Sequence, residues 1–301
     1  MKKSKRGAFK ALIKKRFGIS LGLFHLYDGP CLNHFNQPES ESCVQAGLKF
    51  SIVTPSYNQG KFIKETVSSV LSQNYKFFEY IIQDSCSTDE TSAVLAGFED
   101  ARLKVFCEKD NGQSDAIARG FNRSRNEIMC YLNSDDLLLP RALQSVADFF
   151  STHPSVDVLY ADRIIIDENN QIIGDWRLPP HDRSVIRVVD YIPQETLFWR
   201  RSLWDKVGGI DTTLKFAMDW DLVLRFEAAD AHIVHIPFFL GAFRVHKEQK
   251  TQAEFATGKS EMALIRGRYT NSINRFFCQI AHVLYLQKHI VINRVPVKWK
   301  S

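Results

Sequence analysis

From Phe50 to Asp136 the chain alternates strand-like and helix-like stretches at a steady step, and that step limits the possible folds more than any other feature. Phe50-Ser51-Ile52-Val53-Thr54 is a short, largely apolar run closed by Pro55. Ile63, Val67, Val70 and Leu71 then recur at helical spacing and predict a helix from about Gly60 to Gln73. Glu79 to Gln83 reads as the next strand. It runs into Asp84-Ser85-Cys86-Ser87-Thr88-Asp89, where Thr88 is placed to cap a helix reaching about Phe98. Lys104 to Cys107 is a third strand, followed by a helix around Ser114 to Arg123, and Ile128 to Leu132 is a fourth strand. Strand centres recur about every 25 to 29 residues, the step of βαβ units and a parallel sheet. Right-handed crossovers bring the carboxyl ends of such strands to one edge. The polar clusters at 54–58, 84–89 and 133–136 therefore share the edge where open α/β sheets bind ligands.

The last of these clusters, Asn133-Ser134-Asp135-Asp136, follows the most apolar strand. Asp135 and Asp136 are hard oxygen donors suited to Mg²⁺ or Mn²⁺, ions commonly shared with substrate phosphates. The alternative is a strand-to-helix turn in which Asp136 caps a helix before Leu137-Leu138-Leu139-Pro140. Local sequence alone leaves both open.

Beyond residue 140 the pattern loosens. Val156 to Tyr160 and Arg163 to Ile166 read as strands, with a turn at Asn169-Asn170 before Gln171-Ile172-Ile173, a spacing that predicts mixed or antiparallel pairing. Gly208-Gly209 precedes Ile210-Asp211 and an acidic helix start, Met218-Asp219-Trp220-Asp221. From Glu261 to Ile290 the chain is helix-prone, with Phe276, Phe277, Ile280, Val283 and Leu284 on one apolar face. That face packs on the core, meets a membrane or joins a second copy. No feature sets the oligomeric state.

With 45% hydrophobic and 24% charged residues, the 301-residue chain has the composition of a soluble globular protein large enough for a sizeable core. A net charge of +5 does not by itself point to nucleic acid. Its distribution is uneven, since eight basic residues between Lys2 and Arg16 come before the first acid, Asp28. Phe9, Leu12, Ile13 and Phe17 give this segment one apolar face. It is either a soluble tail or a contact for an anionic membrane, where each basic residue contributes about 1 kcal/mol. No apolar run approaches the roughly 18 residues of a bilayer span, and the N-terminus lacks the apolar core of a secretory signal. Cys31, Cys43, Cys86, Cys107, Cys130 and Cys278 show no CxxC spacing, which fits reduced thiols in the cytoplasm.

In order along the chain, these residues resemble family 2 glycosyltransferases of the GT-A fold. Ser51-Ile52-Val53-Thr54-Pro55-Ser56-Tyr57-Asn58 is similar to the family's opening strand. Ser69 to Tyr75, Glu79 to Asp84, Asp110 to Ile117 and Leu132 to Asp136 continue the pattern. Pro193-Gln194-Glu195-Thr196, Val207 to Asp211, Met218 to Asp221 and Phe243-Arg244-Val245-His246 complete it, over about residues 50 to 250.

The resemblance implies an α/β GT-A domain with a mostly parallel, Rossmann-like sheet and a mixed second half. A basic leader (1–48), a glycosyltransferase domain (49–250) and a helical C-terminal extension (251–301) are the expected divisions. Within the domain, 49–140 would be the nucleotide-binding half and 141–250 the acceptor half. It implies an inverting, metal-dependent transfer of a sugar from a nucleotide-diphosphate sugar to a saccharide or lipid-linked acceptor; the basic N-terminus and the C-terminal helix suggest polysaccharide or glycolipid synthesis in the cytoplasm, at the inner face of the cell membrane. By the same resemblance Asp135 would hold Mn²⁺ or Mg²⁺, with His246 either a second ligand or a satisfied histidine. Thr54, Pro55, Tyr57 and Asp84 would surround the donor's base. Gln113, Ser114 and Asp115 would meet its phosphates or sugar, or simply cap a helix. Asn133 stands where the family more often has a carboxylate, and Asp136 would accept a sugar hydroxyl or cap a helix. Asp219 would be the catalytic base, and Asp221 structural. Ser85-Cys86 replaces glycines that would ease the turn there. A non-catalytic nucleotide-sugar-binding subunit and a nucleotidyltransferase are the rival readings.

Overall fold

The structure, a computed structural model, describes residues 23–26, 47–246 and 255–270. The basic segment, most of the leader and the apolar face at Phe276 to Leu284 lie outside the described residues. One short piece of the leader is described: β1 (Leu23–Leu26) pairs antiparallel with β8 (Ile172–Arg177), at the edge of the sheet.

The steady alternation of the first half is realised as β2 (Phe50–Ser56), α1 (Gly60–Leu71), β3 (Phe78–Asp84), α2 (Thr91–Ala96), β4 (Leu103–Cys107), α3 (Gln113–Asn122) and β5 (Ile128–Tyr131). All three strand pairs here are parallel, in the order β4-β3-β2-β5. The chain thus builds outward from β2 to β4 and then crosses back to the other side of β2. The gap outside β2 and β5 is the switch point at which such sheets bind ligands.

Side chains on β2, β3 and β5 alternate between two buried faces, so both faces need apolar residues and these strands read as largely apolar runs, whereas edge strand β4 is half-exposed. Ile52, Tyr80, Ile82 and Cys130 pack with Ile63, Val67 and Val70 of α1 on one face. Val53, Ile81 and Met129 pack with Ile117 and Phe121 of α3 on the other. Phe121 also meets Trp199 and Trp204, whose rings stack 5.9 Å apart, and each fully buried aromatic of this kind contributes roughly 1.5–3 kcal/mol.

The second half is mixed, as its spacing predicts. It comprises β6 (Leu137–Leu138), α4 (Ala142–Thr152), β7 (Val158–Ile166), β8, α5 (Arg183–Ile186), a 3₁₀ turn (Gln194–Thr196), β9 (Phe198–Arg200), α6 (Arg201–Val207), α7 (Met218–Ala228), β10 (Ile233–Arg244) and α8 (Phe255–Tyr269). Antiparallel β9 joins β5 to β7, making one continuous sheet. β10 runs parallel to the whole of β7, and near its end Gly241 pairs with Leu138.

Three local expectations change. The two strands expected at Val156 to Tyr160 and Arg163 to Ile166 form a single strand, β7 (Val158–Ile166), because β10 pairs across Ala161 and Asp162 between them. Leu137-Leu138 is a strand rather than a helix start, so Asp136 caps no helix; β10 supplies partners that a local reading cannot see. α2 begins at Thr91, whose amide donates to Asp89 rather than to Thr88.

Gly120 sets how closely α3 approaches the sheet. A β-carbon there would lie 2.4 Å from Val53 Cγ1, inside the core. Gly120→Ala is expected to lower unfolding free energy by about 1–3 kcal/mol, the usual cost of overpacking, with urea unfolding as the measurement.

Candidate active site

A cavity of about 1020 Å³ opens at the switch point, lined from both halves of the sheet. Pro55 and Tyr57 reach it from the end of β2, Gln113 from the start of α3, and Asn133, Asp135 and Asp136 from the loop after β5. Asp219 comes from the first turn of α7 and His246 from just beyond β10. Tyr57 is 59% exposed, a ring left at the rim rather than spent in the core.

Asp136 fixes this arrangement. It is 1% exposed, and its Oδ1 accepts the Arg244 amide at 3.0 Å, tying the β5 loop to the end of β10. Arg244 returns a second bond from Nε to the Asp135 carbonyl at 2.7 Å. Burial, with Asp135 and Glu195 nearby, pushes the Asp136 carboxyl well above the usual carboxylate range. His246 is then carried against Asp135, Nε2 to Oδ2 at 2.9 Å, with its ring packed on Phe62. Asn133 accepts from Gln113 Nε2 at 2.7 Å and donates to Asp136 at 3.3 Å.

On the other side, the Asp219 carboxylate takes the Trp220 amide at 2.9 Å, while the Trp220 indole N–H is anchored on the Ile186 carbonyl at 2.6 Å. The residues just ahead of α7 are held from the C-terminal extension. The Glu261 carboxylate of α8 accepts the amides of Lys215, Phe216 and Ala217 at 2.8, 2.8 and 3.0 Å. Asp221 turns away from the cavity to Arg225 Nε, 2.7 Å distant.

Four of the residues expected at the donor, Thr54, Asp84, Ser114 and Asp115, are not among those that line the cavity. The Thr54 hydroxyl is fully buried and shares a hydrogen bond with Tyr80. Both carboxylate oxygens of Asp84 accept from Ser87, bracing their own loop. Ser114 donates to the Leu214 carbonyl at 2.7 Å, linking the two halves, and Asp115 binds Arg119 and the Asn111 amide. Each is polar at the right edge of the sheet, but the fold needs its hydrogen bonds locally. Of the capping alternative for Gln113, Ser114 and Asp115, only Asp115 bonds an amide at the start of α3, that of Asn111; the N-cap position itself is Gly112.

Several cavity residues carried no assigned role in the sequence. Arg163 lies between the rings of Trp176 and Phe243, 4.5 and 4.4 Å away, and pairs with the buried Glu195 at 3.3 Å. Asp190 also lines the cavity. Burial, and after it the charge of Asp219, pushes its carboxyl well above the ordinary range. The available signal for Asp190 was a single acid set among Val188, Val189, Tyr191 and Ile192 in an otherwise apolar run.

The lining holds six carboxyl groups (Asp110, Asp135, Asp136, Asp190, Glu195, Asp219) against two permanent cations, Lys109 and Arg163, so a phosphate-bearing ligand needs added positive charge. Among the described residues no three His, Cys, Asp or Glu side chains converge. Asp135 and His246 already share a hydrogen bond, which puts an oxygen and a nitrogen donor within reach of one ion. That pair would fit a divalent cation able to take further ligands from outside the protein.

The model for "Glycosyl transferase family 2" matches residues 51–218, more than half of the chain. An O-antigen biosynthesis protein, RfbC of Myxococcus xanthus, is 30% identical over 191 residues, 62% of this chain and 15% of that protein. The chain spans less than two thirds of the length of the first curated relatives it matches. In fold it is similar to S. aureus TarS 1–349 in complex with UDP-GlcNAc (TM-score 0.58, 19% identity, 81% of this chain and 72% of that one). It is also similar to the mannosyltransferase PcManGT of Pyrobaculum calidifontis in complex with GDP-Man and Mn²⁺ (TM-score 0.59, 14% identity, 84% and 76%). Both likenesses concern the fold.

The raised Asp190 carboxyl has a measurable consequence. Native Asp190 keeps a proton that the unfolded chain releases above its ordinary pKa of 3.8. Its contribution is therefore complete below that pH and declines as pH rises toward the native value. Asp190→Asn removes this dependence. Urea unfolding between about pH 5 and pH 8 should show the parent losing stability relative to the variant, by at most about 1.4 kcal/mol per pH unit.

Proposed function

Since this chain belongs to glycosyl transferase family 2, we propose that it is a glycosyltransferase that moves one sugar from a nucleotide-diphosphate donor to a hydroxyl of a saccharide or lipid-linked acceptor, with inversion at the anomeric carbon. The observation that carries this reading is the convergence of Asp135, His246 and Asp219 with Pro55 and Tyr57 on one cavity at the switch point of the sheet. The similarity in fold to proteins solved with UDP-GlcNAc and with GDP-Man and Mn²⁺ supports a nucleotide-sugar donor.

Residues 49–140 would form the donor half. Pro55 and the exposed ring of Tyr57 flank the base, and Gln113, through its bond to Asn133, faces the sugar or phosphates. Asp84 would act indirectly, by holding the loop 85–88 that borders the base, and Asp136 by fixing the place of Asp135. Asp135 and His246 would hold Mn²⁺ or Mg²⁺. When bound, such an ion supplies Lewis-acid stabilisation of the negative charge on the departing diphosphate.

Residues 141–250 would form the acceptor half, with Trp176 and Phe243, which line the cavity on either side of Arg163, bordering a sugar ring. Asp219 would accept the proton of the attacking hydroxyl at its carboxylate, from the face opposite the leaving group. Its bond to the Trp220 amide fixes the carboxylate's direction, and the start of α7 favours negative charge there. The rigid anchoring of Trp220 keeps that base in register with the acceptor.

Helix α8 joins the site through Glu261, which holds the residues ahead of α7, and through Met262, which lines the cavity. No helix among the described residues is long and apolar enough to cross a membrane. The basic segment from Lys2 to Arg16 supports a cytoplasmic enzyme resting on the inner face of the membrane, and the O-antigen relative supports polysaccharide or glycolipid synthesis.

UDP-, GDP- and dTDP-sugars are to be tested for thermal stabilisation with and without Mn²⁺. A donor at 100 times its dissociation constant should add about 2.7 kcal/mol. Asp135→Ala should abolish the metal-dependent part. Asp219→Asn should keep donor stabilisation and lose about 10²- to 10⁴-fold in transfer rate. Failure of every donor to stabilise the folded chain, with either metal, would overturn the reading.

A further inference from the structure

Three described cysteines differ sharply in setting. Cys130 is buried in β5, where desolvation pushes its thiol far up and keeps it inert. Cys107 ends β4 with an exposed side chain, and Cys86 sits half-buried in the loop after β3, on the cavity wall. Cys107 donates its S–H to Cys86 with the two sulfurs 3.2 Å apart.

The backbone brings them together. β3 and β4 are in parallel register up to Asp84 opposite Cys107, and the Glu108 amide extends the ladder onto the Asp84 carbonyl. The chain then turns back through Cys86, which takes a left-handed φ of 54°. Glycine would adopt that conformation without the roughly 1 kcal/mol strain of a β-carbon. Here the β-carbon carries the sulfur toward Cys107. A disulfide of about 2.05 Å needs the sulfurs to close by about 1.2 Å, within the range of small side-chain rotations.

We propose that Cys86 and Cys107 are an oxidative modification site, a dithiol that a two-electron oxidant of the peroxide class converts to a disulfide, tying the loop 85–88 to β4 beside the nucleotide pocket. One thiolate attacks the peroxide O–O bond, giving a sulfenic acid and one water. The second thiolate attacks that sulfur; the S–S bond forms, the S–O bond breaks, and a second water leaves. The two thiol protons end in the waters, and the peroxide gains the two electrons that the sulfurs lose. A small dithiol reverses the change by exchange.

The loop so tied is the one that meets the expected base. Ser85 N–H binds the Ser56 carbonyl at 2.8 Å, Ser87 Oγ accepts the Asn58 amide at 2.8 Å, and the Thr88 amide binds Asn58 Oδ1 at 2.9 Å. Asn58 follows Tyr57 directly, so a pull on Cys86 is passed to the rim of the pocket. The oxidised chain should therefore bind nucleotide more weakly. This effect rests on the donor reading above; the bond itself does not.

The full chain is oxidised with hydrogen peroxide, freed of it, and mapped by peptide mass spectrometry. UDP and GDP affinity is measured by calorimetry with Mn²⁺, alongside Cys107→Ser. A Cys86–Cys107 linked peptide that is two hydrogens lighter and reversed by dithiothreitol is expected. With it should come at least a threefold loss of nucleotide affinity in the parent and none in Cys107→Ser. Oxidation that yields only sulfinic or sulfonic acids, with no linked peptide, would overturn the site. A linked peptide with unchanged affinity would overturn its effect on the pocket. If neither nucleotide binds the reduced chain, the donor reading fails while the linked peptide still decides the site.

Discussion

The buried bond between Asp136 and the amide of Arg244 joins two parts of the chain that are 108 residues apart. On one side is the loop that ends the parallel half of the sheet; on the other is the end of the longest strand of the mixed half. Because Asp136 is buried and held toward its neutral form, the bond carries little of the cost of a buried charge. Asp135 is thereby presented outward next to His246, and the Arg244 guanidinium, which also reaches Asn170 Oδ1 at 2.5 Å, secures the β7–β8 turn to the same point. This bond, with that from Arg244 Nε to the Asp135 carbonyl, holds the two proposed metal ligands together.

Charge explains why the cavity suits its proposed ligand only with help. Six carboxyl groups would repel a diphosphate, and the two that the fold holds toward neutrality, Asp136 and Asp190, reduce that excess without removing it. Arg163 brings little net relief, since Glu195 balances it at 3.3 Å. A divalent cation held at the proposed site, Asp135 and His246, would meet the need directly. The upward shift of the Asp190 carboxyl also lessens the negative charge beside Asp219.

Departures from the family's usual residues have definite structural counterparts. Asn133, an amide where a carboxylate is commoner, is used to join Gln113 of α3 to Asp136, so its oxygen is committed within the wall. Cys86 occupies the left-handed position at which a glycine would be unstrained, while Ser85 does not have positive φ; only one of the two replaced glycines was needed for the turn.

The steady step of strands and helices, the continuous apolar runs and the ordered motifs were enough to determine a parallel half-sheet, its carboxyl edge and the family. These are features of local periodicity and chain order, which sequence carries directly. Pro55, Tyr57, Gln113, Asn133, Asp135, Asp136, Asp219 and His246 could therefore be named in advance as neighbours of one cavity. Tertiary structure alone decided which polar groups face that cavity. Thr54, Asp84, Ser114 and Asp115 look equivalent to them in the sequence, yet each is taken by a partner that folding supplies, from Tyr80 to the Leu214 carbonyl. Arg163, Asp190 and Glu261 gain their places through contacts between distant segments, and the meeting of Cys86 with Cys107 depends on strand register and one left-handed residue. A side chain's chemistry is written in the sequence, whereas its direction and its competitors for each hydrogen bond exist only once the chain has packed.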